Sequence, residues 1–355
     1  MKRRVIFPYH PDIETLLQWL GELKDVSLYG VCSFKEDSIM TDRINAVLHN
    51  SRQMEEIMEQ GDVLLILDNY RDLRNDKYYE VIGKAVELGK EVWIMPQIAK
   101  ELSLDCYKGK YQILQKKPRL DIEQPVMYFD RKYPIDVPVI AVAGAGKNSG
   151  KFEAQLLINT YLEKEGYKST WVSSNDLGCI FNSYSTPDFL YRDDYSFEKK
   201  IIQYNHFIHN LITLEEPDVL LIGIPEGIAA FEVKETNHFS EYPLVIGNAV
   251  SIDSAALCMY YMNINNRSAV KEICDFANTR FSIPIDVFYI GRNTFEEDEV
   301  KNELTFSFLD EGYLERHYTT KDSVDDSIYC LWKKDAANAS VKRIIEKLQS
   351  NIDAL

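Results

Sequence analysis

Over the first 130 positions, apolar residues follow two alternating rhythms. Short runs, "RVIFPY" (4–9), "VSLYGVC" (26–32), "DVLLILD" (62–68) and "EVWIMP" (91–96), have strand length and are rich in β-branched residues. Between them, apolar residues recur at three and four in "IETLLQWLGELK" (13–24), near 51–60, and in "KYYEVIGKAVELG" (77–89), the period of a helix with one buried face. Asp12 is placed to cap the first helix, and Gly61 and Gly89 to close the others. Alternation of this kind predicts parallel pairing through right-handed crossovers, hence a small doubly wound α/β domain, flavodoxin- or Rossmann-like, over 1–130. Ligands of open sheets bind beyond the carboxyl ends of the strands, which nominates His10, Asp68, Asn69 and Gln97, although turns favour the same residue types.

The rhythm breaks over 104–137, a polar, proline-bearing stretch with a candidate edge strand at 125–129, and then resumes. Strands are predicted at 138–143, 168–174, within 217–227, at 243–250 and at 285–291, and helices at 152–165, 197–215, 267–279 and 338–353. Segment 254–262 is apolar throughout and fits a strand or a buried helix; we assign a strand. This gives a second parallel-sheet unit over 138–355.

Composition narrows the partners. Apolar residues are 45% and charged residues 27%, a globular balance, but the net charge is −16. Such a chain is repelled by nucleic acid and anionic membranes, and a basic peptide suits it better. The start, "MKRRVIFPYHPD", has no apolar core of a signal peptide, and no run reaches the roughly 18 apolar residues of a membrane span, so a cytoplasmic protein is expected. Its six cysteines lack paired spacing, which argues against zinc and iron–sulfur sites.

The chemistry concentrates in "VIAVAGAGKNSGKFEAQLL" (139–157). Strand, glycine turn and helix follow one another, and Lys151 opens the helix. Gly144, Gly146 and Gly150 let the backbone curl so that N–H groups converge on an anion, and Asn148 and Ser149 can pin the turn. The helix start adds its dipole, and Lys151 can reach the phosphates of a nucleotide. This is a P-loop-like pattern with its metal side missing. The hydroxyl that binds Mg²⁺ is replaced by Phe152. In "PDVLLIGIPEG" (217–227) the apolar run is followed by Gly223 where dimerising P-loop ATPases carry Asp, while Pro225 and Gly227 match them. Glu226 is the nearest acid that could stand in. ATP or another nucleotide is the expected ligand, and metal dependence is not. Ser174, Asn175 and Asp176 follow a strand of the same sheet and could touch that ligand. His206 and His209 share a helix face but lack further metal ligands, Cys179 has no histidine near in sequence, and "FEEDE" (295–299) reads as solvated surface.

These residues resemble a known family. Gly144-x-Gly146-x-Asn148-x-x-Lys151-Phe152-Glu153, "GYKSTWVSS", "PDVLLIGIPEGI" (217–228), "GNAVSIDSA" (247–255) and the opening "FPYH" are similar to the clostridial peptide maturation system proteins. The likeness is best over 138–256. Members are encoded in gene clusters for ribosomally made peptide natural products, beside a radical-SAM maturase and a precursor peptide, and have no settled activity. The resemblance implies that Lys-Phe-Glu and Gly-Ile-Pro without metal ligands are family traits. Ser149-Gly150 departs from the family's usual Cys-Asn and brings this chain nearer a true phosphate loop. The expectation is an accessory protein of peptide maturation that holds a nucleotide at Gly144, Gly146, Asn148, Ser149, Gly150 and Lys151, with Asp176 and Glu226 near its other end, and contacts the precursor peptide or the maturase. Analogy with P-loop relatives adds a homodimer across the loop. The alternatives are an ATP-dependent peptide-modifying enzyme with Glu226 or Glu153 holding Mg²⁺, and a scaffold with an empty loop.

Overall fold

The computed structural model describes residues 2–8, 27–32, 47–49, 54–67, 75–117, 131–230, 236–261, 267–298, 303–309, 311–318 and 327–353. The helix expected at 13–24, its cap Asp12, the loop residues His10, Asp68 and Asn69, and the edge strand at 125–129 lie outside these residues. The chain divides into two compact units, Met1–Lys116 with Asp176–Asn182, and Lys117–Asn175 with Ser183–Leu355. The division therefore falls at 116/117, ahead of the 130–137 expected from the polar, proline-bearing stretch, and one short segment of the later sequence goes with the first unit.

The first unit is a parallel sheet of β1 (Arg3–Phe7), β2 (Ser27–Cys32), β3 (Val47–His49), β4 (Val63–Ile66), β5 (Glu91–Ile94) and β6 (Gln112–Ile113), in the order β3-β2-β1-β4-β5-β6. Every pair is parallel. An order of 3-2-1-4-5 is that of dinucleotide-binding folds; the 2-1-3-4-5 order of flavodoxins is not what these strands adopt. Helices α1 (Met54–Gln60), α2 (Asn75–Glu87) and α3 (Pro96–Glu101) accompany the sheet. Residues Tyr78, Val81, Ile82 and Ala85 of α2 are all buried, the spacing that the sequence pattern required. Gly89, at φ 66°, follows that helix in the left-handed conformation of a C-terminal cap.

In the second unit, β7 (Val139–Gly144) runs into α4 (Lys151–Lys164) and then β8 (Ser169–Ser173) and β9 (Tyr184–Ser185). Then come α5 (Phe197–Glu215), β10 (Val219–Gly223), α6 (Glu241–Ala249), β11 (Ser254–Met259), α7 (Arg267–Phe281) and β12 (Ile285–Ile290). An antiparallel hairpin, β13 (Asn293–Asp298) and β14 (Glu303–Phe308), precedes α8 (Glu311–His317), β15 (Ile328–Cys330) and α9 (Lys334–Asp353). The main sheet has the order β15-β12-β11-β7-β10-β8-β9 and is parallel throughout. Strands β7, β10 and β11 are buried at every position, as unbroken apolar runs in a doubly covered parallel sheet must be. From β7 the chain first moves toward β8, and after β10 it crosses to β11 and β12. The direction reverses beside β7, so the crevice where such sheets bind ligands opens at its carboxyl end.

Segment 243–250, expected as a strand, belongs to helix α6. A short apolar run carries no decisive period, and Pro243 is tolerated in a first helical turn. The buried residues Tyr242, Val245, Ile246 and Ala249 fall at helical spacing. Helix α6 is tied to α5 by the ion pair of buried Lys200 with Glu241, at 2.7 Å. Ser196 caps α5 by accepting the N–H of Lys199.

Candidate phosphate-binding loop

Residues 145–150 form a tight turn between β7 and α4. Gly150 stands at the N-cap with φ 91°, left-handed backbone that favours glycine, and supplies no side-chain cap to the first turn of α4. Asn148 is also left-handed, at φ 54°. The turn is held largely through its carbonyl groups. Asn237 Nδ2 donates to Ala145 O at 3.1 Å and Tyr260 Oη to Lys147 O at 2.5 Å, and Asn293 Nδ2 donates to Asn148 O. A trans peptide directs its N–H opposite its C=O. In those three peptide planes the N–H groups of Gly146, Asn148 and Ser149 are therefore directed away from Asn237, Tyr260 and Asn293.

The carbonyl of Gly146 is bonded from within the loop. It accepts Ser149 Oγ at 3.0 Å and Lys151 Nζ at 2.5 Å. Lys151 also donates to the Glu226 carbonyl at 2.7 Å and is only 8% exposed. Its ammonium therefore lies inside the loop. A Cβ on Gly144 would stand 2.9 Å from Cγ and Cδ of that lysine, so the glycine leaves the path along which the stem folds back.

Of the eight residues expected to hold the nucleotide, seven meet here. Gly144, Gly146, Asn148, Ser149, Gly150 and Lys151 make the turn, and Glu226 adjoins it through Lys151. Asp176 opens a short 3₁₀ turn, Asp176–Phe181, that goes with the first compact unit. The carboxylate of Glu226 faces an imidazole and an ammonium: His238 Nδ1 lies 2.5 Å away and Lys147 Nζ 3.8 Å. Glu153, the other proposed magnesium ligand, pairs with buried Arg292 at 3.7 Å.

At the ATPase aspartate position, any side chain on Gly223 would meet Gln155. A Cβ there would lie 2.7 Å from both the carbon and the nitrogen of the Gln155 amide. That amide is fully buried, donating to Val172 O at 3.0 Å and accepting from Ser173 Oγ at 3.2 Å. The metal side of the loop is thus filled by a neutral, hydrogen-bonded amide, and the residues present do not fit a magnesium ion. Among the described residues, no three His, Cys, Asp or Glu side chains converge as a metal site would need.

The fold has a known counterpart. A DUF1611 family protein from Anabaena variabilis aligns over 96% of this chain and 99% of its own, with a TM-score of 0.59 at 13% identity. Identity that low establishes shared architecture alone. A plasmid partition protein from Borrelia burgdorferi (TM-score 0.36, 10% identity, 59% of this chain and 99% of that one) aligns more loosely. So does a cobyrinic acid a,c-diamide synthase from Mycobacterium smegmatis with bound ADP and magnesium (0.32, 11%, 61% and 96%). At those scores neither carries weight. No family model and no curated protein sequence matches the chain.

Other nominated residues have structural work. Gln97 is exposed on α3 and bonds Glu101 at 3.2 Å. Cys179 Sγ accepts the N–H of Lys116 at 3.0 Å. Ser173 Oγ receives the N–H of Asn175 at 3.1 Å. His206 and His209 pack on the ring of Tyr133, centroids 4.8 and 4.4 Å away, and His206 Nε2 lies 3.0 Å from Arg131 O. Asp218 accepts the N–H of Lys168 at 2.7 Å, in keeping with a role at the turn. No helix among the described residues is long and apolar enough to cross a membrane.

Residues the sequence did not nominate are Gln155, Asn237, His238, Tyr260, Arg292 and Asn293. Tyr260 directly follows β11, and Arg292 and Asn293 stand just beyond β12. Both strands end at the crevice, so the carboxyl-end rule applied to this sheet would have found them. Asn237 and His238 sit in a polar stretch with no pattern to mark them. They belong to a run, Asn237 to Ser240, in which all four residues have φ between 47° and 67°.

Proposed function

We propose that this protein binds a polyphosphate-bearing ligand, a nucleotide such as ATP or ADP, at the loop from Gly144 to Lys151 without a divalent metal. Lys151 carries the reading: a buried ammonium held within a glycine turn at the start of α4, on the carbonyls of Gly146 and Glu226. On binding, Lys151 exchanges carbonyl oxygens for phosphate oxygens, a stronger charge-assisted bond, while the amides and the α4 dipole take the remaining charge. Hydrolysis has no support from the residues, because Gly223, Phe152 and Gln155 offer no metal ligand and both nearby carboxylates face cations.

The setting comes from the sequence resemblance. We place the protein as an accessory of ribosomal peptide natural-product maturation, working in the cytoplasm and contacting a precursor peptide or a radical-SAM maturase. The acidic chain suits a basic peptide segment. The scaffold reading draws on one observation, that Lys151 already has carbonyl partners and its loop could stand without a ligand.

A fluorescent ADP analogue titrated against the full chain, then displaced by pyrophosphate, separates the two. Saturable binding that falls in Lys151→Ala supports the ligand site; no binding by either protein supports the scaffold. Co-purification of the tagged chain with a co-encoded precursor peptide tests the setting, and failure of precursor and maturase alike to bind would remove it.

A further inference from the structure

We infer that Tyr260 and Asn293 are positioning residues that set the direction of the loop's amides, and that the β13–β14 hairpin holds them in place. The inference rests on the reading of the loop as a polyphosphate site. Tyr260 Oη holds the Lys147 carbonyl, and Asn293 Nδ2 holds that of Asn148. In each peptide plane the following N–H, of Asn148 and of Ser149, is thereby turned away from that side chain and fixed in direction. Neither side chain needs to touch the ligand to decide how well the loop receives it.

The hairpin supplies the rigidity that positioning requires. The Tyr260 ring meets Phe295 of β13 edge-on at 5.1 Å and stacks with Phe306 of β14 at 5.9 Å. Asn293 is the first residue of β13. Its neighbour Arg292 lies 4.4 Å over the Phe308 ring of β14 and reaches Glu153 in the first turn of α4. The hairpin therefore bonds one loop carbonyl through its own Asn293, and packs on Tyr260 and Arg292, which hold a second carbonyl and the Glu153 carboxylate. Gly146 fits this arrangement, since a Cβ there would stand 2.5 Å from Tyr260 Oη. The peptide N–H of Tyr261, next along, bonds Asn293 O at 2.8 Å and ties the two positioning residues together.

The test compares wild type, Tyr260→Phe and Lys151→Ala, all as full-length chains, by calorimetric titration with ADP and with pyrophosphate. Amide resonances of Asn148 and Ser149 are followed in parallel. Tyr260→Phe keeps the ring and removes one O–H. It should weaken both ligands on the order of tenfold, the value of one well-placed hydrogen bond. A merely structural role would lower the unfolding temperature but leave the ligand-induced shift of the Asn148 amide intact; positioning predicts that this shift shrinks in Tyr260→Phe. Asn293→Ala should act likewise on the Ser149 amide. Wild-type affinity in Tyr260→Phe, or an unaltered Asn148 shift, overturns this inference alone when Lys151→Ala has lost binding. No binding by wild type overturns the ligand reading and this inference together.

Discussion

Lys151 is a glycine-loop lysine folded onto backbone carbonyls. Burying an ammonium is tolerable only when its donors are met, and the carbonyls of Gly146 and Glu226 meet two of them. Replacing it with alanine should lower polyphosphate affinity by about 10- to 100-fold, the range for one charge-assisted bond, as displacement titration will show. Gly223 makes the opposite case. Introducing an aspartate there, as Gly223→Asp, forces a Cβ against the Gln155 amide. Overpacking of this kind costs about 1–3 kcal/mol, or roughly 3–10 °C in unfolding temperature for a unit of this size. Gln155→Ala in the same chain should recover part of that loss, and strict additivity of the two changes would show that they do not touch. Cys258, at the end of β11, is pushed up to about 12 by burial, with Lys151 opposing and Glu153 adding to the shift. It should resist alkylation at pH 8 in the folded chain and react only on unfolding, as mass spectrometry of labelled protein would reveal.

At the scale of elements, the sequence was informative wherever burial was one-sided or complete. Strands β7, β10 and β12 and helices α2, α4 and α5 stand close to where the apolar rhythm put them, because burial alone decides such segments. Segment 243–250 failed because an unbroken apolar run looks the same on a covered strand and on a buried helix. The β13–β14 hairpin was missed for another reason: its acidic residues read as solvated surface, and its pairing is visible only in space. Asp286, on β12, gives an element-level prediction. Burial raises its carboxyl above the ordinary value, against a hydrogen bond from Ser254 and the charges of Lys347 and Arg343 on α9. A raised folded value means that the native state binds more protons, so stability falls as pH rises from about 4 through that value. Asp286→Asn should therefore raise the unfolding temperature at pH 7, with the gain vanishing near pH 3. A loss of stability at pH 7 would show that its pairing with α9 outweighs its burial.

At the scale of the whole molecule, the two parallel sheets and the glycine turn were legible because each obeys a local rule. The residues that set the turn's geometry were not, since Asn237, Tyr260 and Asn293 come from three separate connections that meet only at the carboxyl end of β7. The sequence located the loss of metal ligands at Phe152 and Gly223 but not what replaced them; Gln155 became meaningful only once α4 lay against β8 and β10. The central claim is an anion site that works without a divalent ion. Calorimetric titration of the full-length chain with ATP, once in excess Mg²⁺ and once in excess EDTA, tests it most directly. The account predicts measurable affinity in EDTA, no gain on adding Mg²⁺ and no release of phosphate; binding that requires Mg²⁺, or no binding under either condition, would contradict it.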